Sequence, residues 1–375
     1  MLRFLTAGES HGPCLTAILE GMPAGVSIDL DAIQYEMRRR QLGFGRGPRM
    51  QFETDTVELL SGVRRGVTLG SPIALVIKNK DASIDRLPVV TQPRPGHADL
   101  TGAIKYDHRD IRNVLERASA RETAARVAVG ALCRQFLEPL GIELASHVTA
   151  LGSIRAKATS ATVAMLRAKK VDQSPLRCLD PQATKQMVRA IELAMKAGDT
   201  LGGIFEVLIE GVPPGLGSYV HYDRRLDAVF GHAILAIHAV KAVEIGDGVL
   251  AASLPGSQVQ DEIFYTKGKG FHRSSNRSGG LEGGMTTGQP IVVRGFLKPL
   301  STLRKPLRSV EINTKRQVVA TVERTDVTTV PAAGVIGEAM LAFEVAKAIL
   351  EKFGGDSLRE LSRNHESYLK QLKRF

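Results

Sequence analysis

A nine-residue pattern that occurs twice constrains the fold of this 375-residue chain more than any other feature. The segment ILEGMPAGV at residues 18–26 aligns with LIEGVPPGL at residues 208–216, and each copy is soon followed by Leu-Asp-Ala, at Leu30 and at Leu226. An apolar run closed by a Gly-Pro-Gly turn predicts a strand, and the later Asp is typical of a helix start. Chance recurrence of a common turn is the alternative. Because the match extends through both the strand and the helix start, we favour a duplicated half-unit.

The duplication predicts one composite body rather than two linked domains, since no linker-like run of Ser, Gly and Pro separates the copies. We predict a single domain over residues 1–375, with halves at roughly 1–145 and 186–355. Residues 149–185 are basic and weakly patterned and are expected at the periphery. Residues 356–375 are expected to form a polar C-terminal tail.

Hydrophobic periodicity predicts the remaining elements that bear on function. Long helices are expected over residues 113–140 and 226–244, a strand over 59–63 and a long exposed loop over 80–95. A continuous first helix places Arg117 and Arg121, four residues apart, on one face.

The basic composition of the chain indicates an anionic ligand. There are 50 Lys and Arg against 39 Asp and Glu, a formal net charge of +11. Nucleic acid, an anionic membrane surface and small polyanionic substrates all fit that charge. Aromatic residues make up only 5% of the chain, and many arginines stand in Gly-rich segments. This pattern favours a pocket for compact anions over nucleic-acid or membrane binding.

Location and metal content are predicted from what the sequence lacks. The longest uncharged apolar stretch, residues 228–240, is shorter than the roughly 20 residues of a membrane span. Three widely spaced cysteines form neither a disulfide framework nor a C-x-x-C pair. We therefore expect a cytoplasmic protein without a metal site.

Three segments are candidates for anion binding. Five arginines and no acid lie between Arg38 and Arg49. The first three arginines suit the negative end of a helix dipole at its C-terminus. Arg46 and Arg49, on a Gly-Pro loop, are not explained in this way and indicate an anion site. Residues 276–290 are Gly-rich, and successive N–H groups in such loops form anion-binding nests, here without Walker A or G-x-G-x-x-G spacing. Residues 298–302, KPLST, add a cation and two hydroxyls that suit a phosphate-bearing cofactor.

Two histidines stand on turns beside these basic segments. His11 lies in GESHG and His97 in RPGHAD, and both suit general-acid chemistry near neutral pH. GESHG lacks the G-x-S-x-G spacing, so a Ser10 nucleophile is rejected. Arg324 and Asp326 share a face if that segment is extended; a structural ion pair and a pocket-edge acid are both open.

These segments, in this order, resemble the chorismate synthase family. The similarity rests on GESHG at 8–12, RPGHAD at 94–99, ERASARET at 116–123 and GGLEGGM at 279–285, and it extends over nearly the whole chain. It implies an α+β fold, a β-α-β sandwich in which two antiparallel sheets enclose a central helical layer with internal pseudo-twofold duplication. It also implies a homotetramer.

The resemblance implies a lyase reaction, the anti-1,4-elimination of phosphate from 5-enolpyruvylshikimate 3-phosphate to give chorismate. This carbon–oxygen cleavage is the last step of the shikimate pathway to aromatic amino acids. Members require reduced FMN, with no net redox change. No reductase domain or Rossmann motif is visible, so we expect an external flavin reductase, with NADPH as an indirect reductant.

The resemblance also carries residue roles onto this sequence. It implies that His11 protonates the departing phosphate, that His97 protonates reduced flavin, and that Asp326 helps to remove the substrate proton through flavin N5. The implied substrate contacts are Ser10, Arg40, Arg46, Arg49, Arg94, Ser119, Ala120 and Arg121. The implied FMN contacts are Arg117, Ala118, Ser119, His238, Ala239, Gly283, Lys298, Pro299, Leu300, Ser301, Thr302 and Arg324. Arg40 and Arg46 are also candidate NADP contacts.

Two other classes of protein fit parts of the pattern. A basic, RNA-associated binding protein predicts steep salt dependence and no flavin affinity, but it leaves His11, His97 and Asp326 unexplained. Another flavin or phosphate-transfer enzyme predicts FMN binding without phosphate release from this substrate.

Overall fold

Two antiparallel sheets and the helices packed on them form the part of the chain that the computed structural model describes, residues 1–47, 53–157, 161–168, 170–268 and 270–375. The first part of the chain contains strands β1 (Arg3–Ala7), β2 (Cys14–Glu20), β3 (Val57–Leu59), β4 (Val63–Arg64), β5 (Val67–Thr68) and β6 (Ile73–Lys78). Its helices are α1 (Leu30–Gln41), α2 (Asp99–Tyr106), α3 (Arg112–Arg117) and α4 (Thr123–Leu137).

The rest of the chain supplies the second sheet and the longest helix. Its strands are β7 (Glu143–Leu151), β8 (Ile154–Arg155), β9 (Gly203–Glu210), β10 (Val240–Ile245), β11 (Ile263–Thr266), β12 (Gly270–Arg273), β13 (Leu281–Glu282), β14 (Met285–Thr286), β15 (Ile291–Leu297), β16 (Arg308–Val310) and β17 (Gln317–Val319). Its helices are α5 (Val163–Arg167), α6 (Lys170–Gln173), α7 (Pro181–Ala197), α8 (Leu226–Leu235), α9 (Gly248–Ala251), α10 (Gly256–Val259), α11 (Val330–Phe353) and α12 (Leu358–Leu372). Short 3-10 turns cover Ile84–Arg86, Ala120–Glu122, Glu138–Leu140 and Tyr222–Arg224.

The two sheets repeat one strand order. The first runs β1-β2-β6-β3 and the second β10-β15-β9-β7-β8, with every neighbouring pair antiparallel. Read from β7 to β10, the second sheet has the order β7-β9-β15-β10, which matches β1-β2-β6-β3 strand by strand. The two copies of the repeated sequence pattern thus occupy equivalent strands, β2 and β9, with the turns that follow them.

The turns after β2 and β9 are closed by the same side-chain hydrogen bonds. In each, a Thr hydroxyl donates to a Pro carbonyl and accepts from an amide N–H three residues later in the turn. After β2, the Thr68 hydroxyl donates to the Pro23 carbonyl at 2.6 Å and accepts from the Val26 N–H at 2.9 Å. After β9, the Thr286 hydroxyl donates to the Pro213 carbonyl at 2.7 Å and accepts from the Leu216 N–H at 2.9 Å. The sequence repeat is therefore also a repeat of local structure.

Helices α4 and α11 form the centre of the core. Helix α4 packs on β2, helix α11 packs on β7 and β9, and the two helices pack against each other. Their contact is close at Gly130, because a Cβ built there lies 2.3 Å from the Cβ of Ala339 and 2.4 Å from its Cα. Gly130 is thus required by this helix crossing.

Gly130→Ala is expected to destabilise the fold by about 1–3 kcal/mol, since an added methyl group cannot fit without moving α11. The free energy of unfolding in denaturant measures the effect. Gly256→Ala is the matched control, because a Cβ on Gly256 meets nothing within 4 Å. Equal stability of the two variants would contradict this packing.

The helix predicted over residues 113–140 is interrupted between α3 and α4. Ser119 is extended, with ψ 140°, and its hydroxyl accepts from the Arg121 N–H at 3.3 Å, which starts a 3-10 turn. Ser favours such local hydrogen bonds over a helix interior. The prediction that Arg117 and Arg121 share one helix face is therefore wrong.

The helix predicted over residues 226–244 is wrong in its second half. Helix α8 ends at Leu235, and Ala239 has φ 67°, in the left-handed region that non-Gly residues rarely adopt. Residues 240–245 then form β10, paired with β15, because β-branched Val240, Val243 and Ile245 suit a strand.

Three further predictions need correction. Residues 149–185 are not peripheral: they begin in β7 and include Arg177, which is 2% exposed. The strand predicted over 59–63 is a turn between β3 and β4, where Gly62 has φ 79°. The loop over 80–95 is not wholly exposed, since Val90 and Arg94 are buried.

No helix in the described ranges is long and apolar enough to cross a membrane.

Candidate active site

His11 is held by a buried carboxylate at the end of β1. Its Nδ1 lies 2.9 and 3.0 Å from the two carboxylate oxygens of Glu116, and its backbone N–H donates to Glu116 Oε2 at 2.8 Å. The neighbouring Ser10 hydroxyl accepts from Ser119 Oγ at 3.2 Å. His11 and Ser119, from GESHG and ERASARET, are thereby brought together, as predicted.

Three buried arginines lie beside this histidine. Arg40 and Arg121 both donate to the carboxylate of Asp55, and Arg121 Nε also donates to Asn79 Oδ1 at 2.9 Å. Asn79 in turn donates to the Gly12 carbonyl at 2.8 Å, which links the arginines to the His11 loop. Burial alone would raise the pKa of Asp55, but the two guanidinium groups hold it below its ordinary value.

Arg46 joins the arginines to Asp326. Its Nη1 donates to the Arg40 carbonyl at 3.2 Å, and its Nε lies 3.0 Å from Asp326 Oδ2. The Gly47 N–H also donates to Asp326. Burial lowers the pKa of both Arg46 and Arg121, so an arriving anion would offset the cost of these buried cations. Asp326 thus pairs with Arg46 and not with Arg324, which is exposed.

His97 has a carboxylate partner of its own. Its Nδ1 lies 2.5 Å from Asp99 Oδ1, while Arg94 donates from Nε to Asp99 Oδ2 at 2.8 Å and from Nη1 to Thr302 Oγ1 at 2.7 Å. Burial opposes ionisation of Asp99, but hydrogen bonds from His97 and Arg94 hold its pKa well below the usual range. Arg94 Nη2 also lies 3.0 Å from His97 Nδ1. Both predicted histidines therefore have a carboxylate at Nδ1, and Nε2 is the ring nitrogen from which each would deliver a proton.

The segment 298–302 closes on the His97 loop. Lys298 Nζ and Ser301 Oγ both donate to the Gly96 carbonyl, at 2.5 and 2.7 Å. The Lys298 N–H donates to the carbonyl of Ala239, the residue with φ 67°. Pro299 and Leu300 lie between these contacts.

His238 sits in the same region with an unsatisfied ring nitrogen. Among the described residues its buried Nδ1 has no hydrogen-bond partner. Burial lowers its pKa, helped by the charges of Arg126, His97 and Arg117 and opposed by Glu122. A buried polar atom without a partner is costly, so this nitrogen marks a place for a ligand.

Other predicted residues take structural positions or lie apart. Arg117 donates to the Thr6 and Gly8 carbonyls at 3.0 and 2.9 Å and so fixes the end of β1, and Ala118 and Ala120 flank Ser119 at the helix break. Gly283 forms the exposed β13–β14 turn, which precedes β15, whereas Lys298 follows β15. The contact of Gly283 with FMN stays a prediction. Arg49 lies outside the described residues.

The nest predicted in the Gly-rich segment already holds an anion of the chain itself. The N–H groups of Arg277 and Ser278 both donate to the carboxylate of Asp261, at 2.9 Å each. These and other hydrogen bonds lower the pKa of Asp261 against the opposing effect of burial. These two N–H groups are therefore not available to an external anion, and anion binding by the rest of the segment stays a prediction.

Sequence reasoning missed the carboxylates that organise the site. The roles of Glu116, Asp55 and Asp99 were not predicted. Asp99 stands inside RPGHAD, two residues after His97, and a His-x-Asp pattern is a usable signal for such a pair. Glu116 and His11 are 105 residues apart, so no local pattern joins them.

Comparison with known proteins agrees with this arrangement of motifs. The family model described as chorismate synthase matches residues 2–350. A chorismate synthase of Geobacillus thermodenitrificans is 53% identical, with 100% of both chains covered, and chorismate synthase 2 of Bacillus cereus is 52% identical, with 99% of this chain and 100% of the relative covered. A crystal structure of chorismate synthase superposes with a TM-score of 0.82 at 44% identity, covering 100% of this chain and 99% of that one.

The fold and the site thus define an enzyme with two carboxylate-anchored histidines beside buried arginines. The chain belongs to the chorismate synthase family.

Proposed function

We propose that this protein catalyses the anti-1,4-elimination of phosphate from 5-enolpyruvylshikimate 3-phosphate, with reduced FMN bound. One C–O bond and one C–H bond break, a C=C bond forms, and phosphate and a proton leave without net oxidation. The observation that carries the proposal is the placement of His11, anchored by Glu116, beside the buried Arg40, Arg46 and Arg121. A general acid beside a group of cations suits a substrate whose leaving group is phosphate.

The arginines bind and orient the substrate in this account. Arg40, Arg46 and Arg121 are rigid because each has a carboxylate or backbone partner, and guanidinium groups recognise carboxylate and phosphate in a bidentate manner. Arg94, held by Asp99, continues this basic surface toward His97. Arg40 and Arg46 remain candidate NADP contacts as well.

The two histidines and Asp326 move protons. His11 gives the proton on Nε2 to the departing phosphate. His97 would hold a proton at Nε2, on the side where FMN would bind. The carboxylate of Asp326, oriented by Arg46 and Gly47, is the proposed final acceptor of the proton that the substrate loses.

The residues around His97 fit FMN. The orphaned Nδ1 of His238 offers a ring contact, and Lys298, Ser301 and Thr302 offer a cation and hydroxyls for a phosphate. Reduced FMN supplies electron density to the substrate transiently when bound. Gly283 is a further proposed FMN contact, and a homotetramer is the proposed assembly. Supply of reduced flavin by a separate reductase and a cytoplasmic location are part of the same proposal.

Lys298→Met is expected to weaken FMN binding about 10–100-fold, since a charge-assisted hydrogen bond contributes about 1.5–3 kcal/mol. Quenching of FMN fluorescence gives the dissociation constant. Lys370→Met, on the polar helix α12, is the control and should bind FMN like the unmodified protein. A dissociation constant unchanged by Lys298→Met would remove this segment from the cofactor site.

The activity itself is tested by anaerobic incubation with 5-enolpyruvylshikimate 3-phosphate and photoreduced FMN. Chromatography should show chorismate. FMN binding without this product would favour a different flavin enzyme, and salt-sensitive RNA binding without flavin affinity would favour the binding-protein alternative.

A further inference from the structure

The hydrogen bonds between Glu116 and His11 are the most prominent feature of the site that has no role so far. Three contacts of 2.8–3.0 Å join the ring Nδ1 and the backbone N–H of His11 to one carboxylate, whose side chain is 0% exposed. The backbone carbonyl of Glu116 also accepts from the Ser10 N–H at 3.0 Å. Glu116 therefore fixes both the loop and the rotation of the imidazole ring.

Glu116 carries its charge in this buried position. Burial opposes ionisation, but hydrogen bonds from His11 and Arg112 hold the pKa of Glu116 below its ordinary value. Arg112 Nη1 lies 3.3 Å from Glu116 Oε1, and its other nitrogen Nη2 donates to Glu323 at 3.1 Å. On the opposite side of the ring, Asp81 Oδ2 lies 3.9 Å from His11 Nε2. The described charged groups that bear on His11 are thus Glu116, Arg112 behind it, and Asp81.

We propose that Glu116 is a positioning residue that keeps a proton on His11 Nδ1 and makes Nε2 the atom that donates to the departing phosphate. The role of the donated proton rests on the proposed function. In the protonated ring both nitrogens carry hydrogen; as the C–O bond breaks, the Nε2 proton passes to a phosphate oxygen, and the neutral ring that remains has its proton on Nδ1, hydrogen-bonded to Glu116. His97 also has a carboxylate at Nδ1, with Asp99 Oδ1 at 2.5 Å.

Glu116→Gln tests this assignment because it removes the negative charge and replaces one of the two carboxylate oxygens with an NH₂ group. Nδ1 lies 3.0 and 2.9 Å from Oε1 and Oε2, so in either orientation of the amide the NH₂ group lies within hydrogen-bond distance of Nδ1 and favours Nδ1 as the acceptor. The neutral ring is then protonated at Nε2, and the variant also lacks the negative charge that stabilises the imidazolium.

We expect Glu116→Gln to change three measurements. Long-range ¹H–¹⁵N NMR of ¹⁵N-histidine-labelled protein should show the neutral His11 ring protonated at Nδ1 before the change and at Nε2 after it. The kcat for phosphate release should fall about 10–100-fold with little change in KM, and the alkaline limb of the pH–rate profile should move to lower pH. Glu116→Asp, which keeps a carboxylate, should restore the Nδ1 tautomer and part of the rate.

A second buried Glu–His pair provides the matched control. His147 Nε2 lies 2.9 Å from Glu206 Oε1 in the second sheet, away from the site. Glu206→Gln should alter the His147 signals and leave the His11 tautomer and the pH–rate profile unchanged.

Two results would overturn the proposal: a neutral His11 ring protonated at Nε2 in the unmodified protein, or a tautomer and pH–rate profile that Glu116→Gln does not change. The NMR measurement needs no substrate. Failure of the unmodified protein to form chorismate would therefore refute the proposed function and leave the tautomer result standing, so the two failures are distinguishable.

Discussion

Replacing His11 with Ala slows phosphate release from 5-enolpyruvylshikimate 3-phosphate by about 10²–10⁴-fold, the usual contribution of a general acid. The variant keeps the buried arginines and the FMN candidates around His97, so KM and FMN affinity should change little. The measurement is the anaerobic steady-state rate with photoreduced FMN, followed by released phosphate.

His232→Ala is the control for this experiment. His232 is exposed on α8 and has no place in the site, so its loss should leave the rate unchanged. A His11→Ala variant as active as His232→Ala would remove His11 from the chemistry, whatever its contacts with Glu116.

The largest expected effect on stability follows from one buried carboxylate on α11. Glu338 has a wholly buried side chain, accepts from Arg39 at 2.8 and 2.9 Å and from Ser146 Oγ at 2.6 Å, and pairs with Arg134 and Arg177. Glu338→Ala leaves three guanidinium groups without their shared partner, and breaking a buried ion pair in this way costs about 3–5 kcal/mol. We expect a loss of that size in the free energy of unfolding, measured in urea.

Glu351→Ala, on the same helix, is the matched control. Its ion pair with Arg224 spans 3.6 Å between side chains that are each more than half exposed, so little stability should be lost. Similar losses in the two variants would show that the buried cluster does not stabilise the fold.

The pH dependence of stability gives the Glu338 cluster an independent signature. Burial opposes ionisation of Glu338, but Arg39 and Arg134 hold its pKa well below the usual range. A depressed folded-state pKa contributes stability that is present above the unfolded value, about 4.3, and lost as pH falls through the folded value. Glu338→Ala should therefore show a weaker loss of stability below about pH 4 than the unmodified protein.

The fold could be predicted where the signal was local. The repeated strand and turn are confirmed at β2 and β9, because hydrophobic period and Gly-Pro punctuation decide them. The interruptions at Ser119 and Ala239 were missed because the apolar pattern continues through both positions, and each break has a long-range contact beside it. Arg117 reaches back to β1, and the Ala239 carbonyl accepts from Lys298.

The site was predictable by residue type more than by partner. Histidines on turns and grouped arginines indicated acid chemistry on an anion, and the structure places His11, Arg40, Arg46 and Arg121 together. Their carboxylate partners lie far away in sequence, as Glu116 does from His11. The same reason explains the Gly-rich nest, where two of the N–H groups donate to Asp261, a residue outside the segment.

The central claim, an elimination that needs reduced FMN and consumes none, is tested most directly by flavin stoichiometry. Phosphate and flavin absorbance are followed together, anaerobically, with substrate in large excess over photoreduced FMN. We predict many phosphates released per flavin, no release with oxidised FMN, and flavin that is still reduced at the end. Release without reduced flavin, or one flavin oxidised for each phosphate, would contradict the account.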